Sequence, residues 1–165
     1  GTLAQMGWLL PQAMQSVLYT RYAAEKSQQE NIQRVKNAIR FVSLYAVGMS
    51  VGGYVLSLYL VPVLFGSSFQ GAISCIGILL WGIGPFCLSM PVSAWLAASG
   101  RVVWNLHAAC IGFIVCLLLD VLWIPSWGIQ GAAWASVSSY LSTLAYQLFR
   151  FRQYSRSFRL RPTHA

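Results

Sequence analysis

The sequence predicts an all-α protein, a polytopic transmembrane helical bundle of about five spans, from three observations. Hydrophobic residues fill 57% of the 165 positions and charged residues only 8%, where a water-soluble domain carries about a quarter. The apolar residues fall in runs long enough to cross a bilayer, about 20 residues each. The eleven basic residues, set against three acids, are confined to segments that a five-span count places on one side of the membrane. A net charge of +8 gathered in so few places excludes a nucleic-acid-binding domain, whose basic residues would be interleaved through a soluble fold.

The spans are expected at residues 3–22, 41–65, 72–98, 102–124 and 129–149. The first is diluted by Gln5, Gln12 and Gln15 yet has no charge before Arg21. Between the first two spans lies the one long polar stretch, Arg21 to Arg40, where Glu25, Lys26, Glu30, Arg34 and Lys36 stand among good helix formers. It reads as a helical loop or as an N-terminal extension of the second span. Gly66-Ser67-Ser68, Ser99-Gly100-Arg101 and Pro125-Ser126-Trp127-Gly128 are tight connectors. Links this short predict antiparallel neighbours in an up-down bundle. Residues 1–150 therefore read as a transmembrane unit and 151–165 as a basic tail.

Arg21, Lys26, Arg34, Lys36 and Arg40 occupy the long loop, Arg101 the third connector, and Arg150, Arg152, Arg156, Arg159 and Arg161 the tail. An excess of Lys and Arg marks the cytoplasmic side, so the tail is expected there and Gly1 on the far side. A basic tail of this kind anchors topology and also attracts anionic lipid. Without an initiator Met, a basic leader or a cleavage site before the first apolar run, the chain reads as a piece of a longer protein. Trp8, Trp104 and Trp127 fall near span ends, where indoles favour the interface.

Nothing in the sequence predicts an enzyme, a metal site or a cofactor. Cys75, Cys87, Cys110 and Cys116 lie in apolar runs without C-x-x-C spacing, and His107 and His164 belong to no ligand cluster. The chemistry open to the chain lies in polar and helix-breaking residues at membrane depth, which protein or a water-filled cavity must satisfy. Asp120 is the one acid within a span, at a cost of roughly 2.5–3.5 kcal/mol for a central position. It reads either as a residue near the outer interface, hydrated or capping a neighbouring helix, or as a substrate or ion site. His107 reads as an interfacial histidine.

Gln5, Gln12, Gln15, Ser16 and Tyr19 form a polar stripe on the first span, and Ser136, Ser139, Tyr140, Thr143 and Gln147 form one on the fifth. Either stripe can wall a hydrophilic conduit or supply interhelical hydrogen bonds; on the fifth, Gly131, Ala135 and Ser139 at intervals of four favour close packing. Gly48-x-x-x-Gly52 on the second span is a weaker close-contact motif. Gly82, Gly84, Pro85 and Pro91 loosen the third span and are hinge candidates. The substrate-path candidates are Gln5, Gln12, Gln15, Arg21, Arg101 and Asp120.

From Leu58 onward the order of these features resembles the C-terminal half of polysaccharide flippases, within the multidrug, oligosaccharidyl-lipid and polysaccharide exporter superfamily. The residues concerned are Val63-Leu64-Phe65-Gly66, Ala97-Ala98-Ser99-Gly100-Arg101 and, most specific, Leu117-Leu118-Leu119-Asp120 with Ile124-Pro125-Ser126-Trp127-Gly128-Ile129-Gln130-Gly131-Ala132-Ala133-Trp134-Ala135. The family often has Asn where Asp120 stands, and a Pro in place of Thr20. The resemblance implies a two-lobe exporter of about twelve spans, of which this chain supplies the eighth to the twelfth, working by alternating access. It implies a transporter of the bacterial inner membrane that moves lipid-linked oligosaccharide outward for O-antigen, capsule or exopolysaccharide assembly. Its partners would be the bilayer, that substrate and an N-terminal lobe, with no cofactor and no nucleic acid. A cation-coupled multidrug exporter and a non-transporting module packed on a polysaccharide-synthesis enzyme are the alternatives.

The topology is testable with single cysteines at Ser126 and Ser155 in a background lacking the four native thiols. An impermeant thiol reagent applied from outside should label the first and spare the second. Equal labelling of both overturns the five-span count.

Overall fold

The computed structural model describes residues 13, 15–24, 28–65 and 70–159, and the described chain is helical apart from one tight turn and one cap. Helix α1 covers residues 15–24. It is followed by α2 (Gln28–Phe65), α3 (Gln70–Ala98), α4 (Val102–Trp127) and α5 (Ile129–Arg159). Most of the first expected span, including Gln5 and Gln12, and the Gly66-Ser67-Ser68 connector lie outside the described residues.

Among the described residues three segments are long and apolar enough to cross a membrane: Glu30–Leu60, Ile73–Ala98 and Val102–Trp127. At 1.5 Å per residue, the 26 residues of α4 reach about 39 Å, more than a hydrocarbon core of about 30 Å. Their outward faces carry large apolar side chains, with Leu44, Val63 and Trp81 each more than three-quarters exposed. Such faces suit lipid and not water. The long polar stretch is no loop from Gln28 onward; it is the first part of α2, whose 38 residues run unbroken into the apolar run. Asn31, Val35, Val42 and Ala46, at steps of four, seven and four, are its buried stripe.

Helix α5 stands apart. Its 31 residues are ample in length, but its serines, threonine and glutamines keep it below the hydropathy of the other three. The packing explains how it is accommodated, because α5 lies between α3 and α4 and contacts both extensively, whereas α3 and α4 scarcely touch. The expectation that each short link joins neighbouring helices therefore needs correction: α3 and α4 share a three-residue turn, yet α5 separates them. One face of α5 presents Val137 and Tyr140 to α3 at Gly82, and another presents Ser139 and Thr143 to α4 at Gly112. Helix α2 completes the row by packing on α3.

Each connector has a local cause. Gly100 adopts φ 73°, where a side chain would collide with its own backbone. In that conformation Arg101 N–H donates to the Leu96 carbonyl at 2.9 Å and Gly100 N–H to that of Ala97 at 3.0 Å, closing α3. Gly128, at φ 56°, does the same for α4 by donating to the Ile124 carbonyl at 2.8 Å. Gly131 then passes so close to the Trp123 backbone that a Cβ would strike its carbonyl.

The largest buried cluster gathers the ends of all five helices: Tyr22 of α1, Val35 of α2, Val92, Trp95 and Leu96 of α3, Trp104 beside them on α4, and Phe151 of α5. Trp95 is fully enclosed, edge-on to Phe151 at 5.1 Å between centroids and tilted against Tyr154 at 5.3 Å. The three basic segments therefore meet at one end of the bundle, as the charge distribution predicts. The tail expected to begin at residue 151 continues α5 to Arg159, with Phe151 buried.

The α4–α5 contact predicts opposite outcomes for two glycines. Gly112→Val should drive Cβ into Thr143 and Ser139 and lower stability by about 1–3 kcal/mol. Gly48→Ala meets nothing within 4 Å and should be neutral, or stabilising by up to about 1 kcal/mol through helix propensity. Thermal unfolding of the detergent-solubilised protein measures both.

Candidate functional site

The polar residues at membrane depth separate into those that bind helices together and those that remain available. On α5 the stripe is structural. Ser139 Oγ donates to the Gly112 carbonyl at 2.8 Å and Thr143 Oγ1 to the carbonyls of Ser139 at 3.0 Å and Ala108 at 3.4 Å. Gln147 is buried and donates through Nε2 to Asn105 Oδ1 at 3.4 Å, while Asn105 Nδ2 donates to the Ser93 carbonyl at 2.9 Å. That chain ties α5, α4 and α3 together. It follows the close-packing alternative for the fifth span, with Gly131 and Ala135 both buried on the same helix.

Asp120 lies on α4 two turns before its end. Its Oδ2 accepts a hydrogen bond from Cys116 Sγ at 3.5 Å, one turn earlier. Its Oδ1 is shut off from solvent and has no hydrogen-bond partner. Across the interface, Ser136 Oγ donates back to the Ala132 carbonyl at 3.0 Å. Among the described residues no three of His, Cys, Asp and Glu converge.

The other path candidates are dispersed. Gln15 is half-buried on α1 and Arg21 is exposed at its end. Arg101 sits at the opposite end of α4 from Asp120, its guanidinium stacked on the rings of Trp104 at 4.4 Å and Tyr154 at 4.2 Å. The structure brings neither Arg21 nor Arg101 to Asp120, and Gln5 and Gln12 are outside the described residues.

The hinge candidates also divide. Helix α3 runs without a break through Pro85 and Pro91, although each ring removes one i to i−4 donor, leaving the Trp81 and Cys87 carbonyls without theirs. Gly82 is buried against Tyr140 and Val137, where a Cβ would come within 3.2 Å of both, so it serves packing. Gly84 has open space beside it and lines a cleft of about 720 Å³ between α2 and α3, closed on one side by Trp134 of α5. The cleft is mostly apolar, with Ser43, Ser50, Tyr54 and Ser74 as its polar points. Ser50 Oγ holds the two helices together through the Leu80 carbonyl at 2.9 Å. Sequence reasoning did not single out these residues. The only signal was the small residues Gly48, Gly52, Gly53 and Gly77, of which Gly53 and Gly77 do face α3 and α2 closely while the Gly48-x-x-x-Gly52 pair meets nothing.

The chain is thus a row of long helices with a half-buried acid on one of them and cationic side chains collected at one end. No curated protein and no solved structure matches it. One family model does, that of the lipid II flippase MurJ, over residues 12–162, which takes in nearly the whole chain. The chain belongs to that family of lipid-linked precursor flippases.

Proposed function

We propose that the chain supplies most of one lobe of an alternating-access flippase that carries a polyprenyl-pyrophosphate-linked saccharide from the cytoplasmic to the outer leaflet of a bacterial inner membrane. The observation that carries this reading is the family match along residues 12–162, supported by three helices able to cross a bilayer. The family's name points to lipid II as the cargo. A second reading, an oligosaccharide destined for surface polysaccharide, is favoured by the run from Ile124 to Ala135 that resembles polysaccharide flippases. Translocation breaks no covalent bond, so the work assigned to side chains is binding and coupling, and no catalytic residue is needed.

Coupling falls to Asp120. Helix insertion tolerates an acid at depth only at a cost, and such residues mark ion and proton paths. The enclosed Oδ1 offers a place where a proton or monovalent cation replaces the missing hydrogen-bond donor. The two prolines and Gly84 on α3 give the lobe a helix short of two backbone hydrogen bonds, which lowers resistance to bending as lobes rock.

The cargo is decided by complementation with the full-length protein. In cells depleted of their own lipid II flippase it should restore growth and the exposure of lipid II on the outer leaflet. Restoration of surface polysaccharide in a polysaccharide-flippase null strain, with no rescue of growth in the first, replaces lipid II by the second cargo. Unchanged transport in both with a gain in drug resistance points instead to a multidrug exporter.

For Asp120, Asp120→Asn should leave the protein level unchanged and reduce gradient-driven transport at least tenfold, or about 1.4 kcal/mol. Undiminished transport at a normal level shows that the carboxylate has no part in coupling.

A further inference from the structure

At the end of the bundle where the basic segments meet, Arg101 and Arg150 share one aromatic ring. The Arg101 guanidinium carbon is 4.4 Å from the Trp104 centroid and 4.2 Å from that of Tyr154, so it lies over two rings at once. Arg150 approaches the same indole at 5.1 Å and Tyr146 at 5.3 Å. Its Nε donates to Tyr146 Oη at 3.1 Å and its Nη1 to Gln153 Oε1 at 3.3 Å, while Tyr146 Oη lies 3.3 Å from His107 Nδ1.

Among the described residues no carboxylate reaches this cluster. Among the described residues, Glu30 pairs with Arg34 at 3.5 Å, and Asp120 is nineteen residues along α4 from Arg101, or about 28 Å. No described carboxylate faces either cation. Stacking on the two rings leaves the edge of the Arg101 guanidinium, with five N–H donors in a fixed fork, without an acceptor among the described residues. Two like charges brought to one indole repel each other, a cost that a shared counter-ion removes. Arg101 is also the residue at which α4 begins, and no side chain caps that terminus, so the positive end of a 26-residue helix adds to the attraction for an anion.

We infer that Arg101, Arg150 and the N-terminus of α4 form a binding site for a lipid phosphate, occupied by the phosphodiester headgroup of an anionic phospholipid in the leaflet facing the basic segments. Guanidinium forks match tetrahedral phosphate oxygens in pairs. The depth suits a phospholipid, because the first turns of α4 beside the cluster expose Val102, Val103 and Leu106, each about three-fifths accessible. A lipid whose phosphate sits on the arginines can lay its chains along that face. The site is distinct from Asp120 and does not depend on which saccharide the protein carries.

Native mass spectrometry of the full-length protein in detergent tests this with three ligands: phosphatidylglycerol, phosphatidylcholine and a polyprenyl pyrophosphate. Phosphatidylglycerol should be retained in preference to phosphatidylcholine. Arg101→Gln and Arg150→Gln should each weaken it roughly fivefold, as expected for about 1 kcal/mol per cation near a lipid phosphate. Arg101→Lys, which keeps the charge and is the milder change to the fold, should lose part of that affinity because an ammonium cannot offer the stacked fork. Arg156→Gln removes an exposed charge from the same end of α5 and should leave binding unchanged. An equal loss with Arg156→Gln would reveal a diffuse basic surface and overturn the proposal. Tighter binding of the polyprenyl pyrophosphate, lost with the same two arginines, would assign the cluster to the cargo and overturn it as well.

Discussion

A polar side chain in hydrocarbon must find its partner inside the protein, and the arrangement of this bundle follows from that requirement. Helix α5 carries Ser136, Ser139, Thr143 and Gln147 along the segment that runs beside two apolar helices. Ser136 and Thr143 bond the carbonyls of Ala132 and Ser139 within α5, but Ser139 and Gln147 have their partners on α4 and would be unsatisfied against lipid. Placed against α4, Ser139 and Thr143 donate to the carbonyls of Gly112 and Ala108, and Gln147 donates to Asn105. Interhelical bonds of this type contribute only about 0.6 kcal/mol each on average. Their larger effect is on specificity, because no other position in the row of helices would enclose the stripe on both sides. The separation of α3 from α4, despite a three-residue link, is the consequence.

This is also where the sequence was least legible. Helix type and the closing turns of α3 and α4 could be read, since Gly100 and Gly128 punctuate the apolar runs, whereas α2 begins before and α5 ends beyond the spans expected for them. The order of helices in space could not, because the short link at 99–101 constrains only the ends it joins. A hint was present in the small residues at 131, 135 and 139 of α5 and at 112 of α4, which permit close backbones, but a face of small residues does not name its partner. Charge was more informative than pattern. The prediction that three basic segments share one side rests on counting alone, and the cluster of Tyr22, Val35, Trp95 and Phe151 brings those segments to one end.

The candidate site was legible in part for a related reason. An acid in an apolar run is conspicuous, so Asp120 could be singled out, but whether its oxygens meet water, a helix terminus or nothing is a matter of tertiary packing. The enclosure of Oδ1 is invisible at the level of residue types. Arg101 shows the converse. Its position at a connector made it a substrate-path candidate, and only the fold reveals that Tyr154, more than fifty residues later, packs its ring on the guanidinium. Gly82 shows how a helix breaker can be misread: beside Pro85 it suggests flexibility, yet its missing side chain is what admits Tyr140 and Val137.

The two ends of α4 therefore present opposite electrostatic problems on one rigid element. At one end cations are gathered without described acids; at the other a carboxylate oxygen is gathered without a donor. Neither is relieved by the other, since about 28 Å of helix separates them. The ring contacts of Arg101 and Arg150 are favourable in themselves, whereas the enclosed Asp120 oxygen has no such compensation among the described residues. On the two readings proposed above, α4 offers an anion site at one end and a coupling site at the other, and both belong to a helix packed extensively on α5. Between the two ends the Gly112 carbonyl accepts from Ser139 Oγ of α5, so the middle of α4 is given to packing, while its ends carry the groups for which packing supplies no described partner.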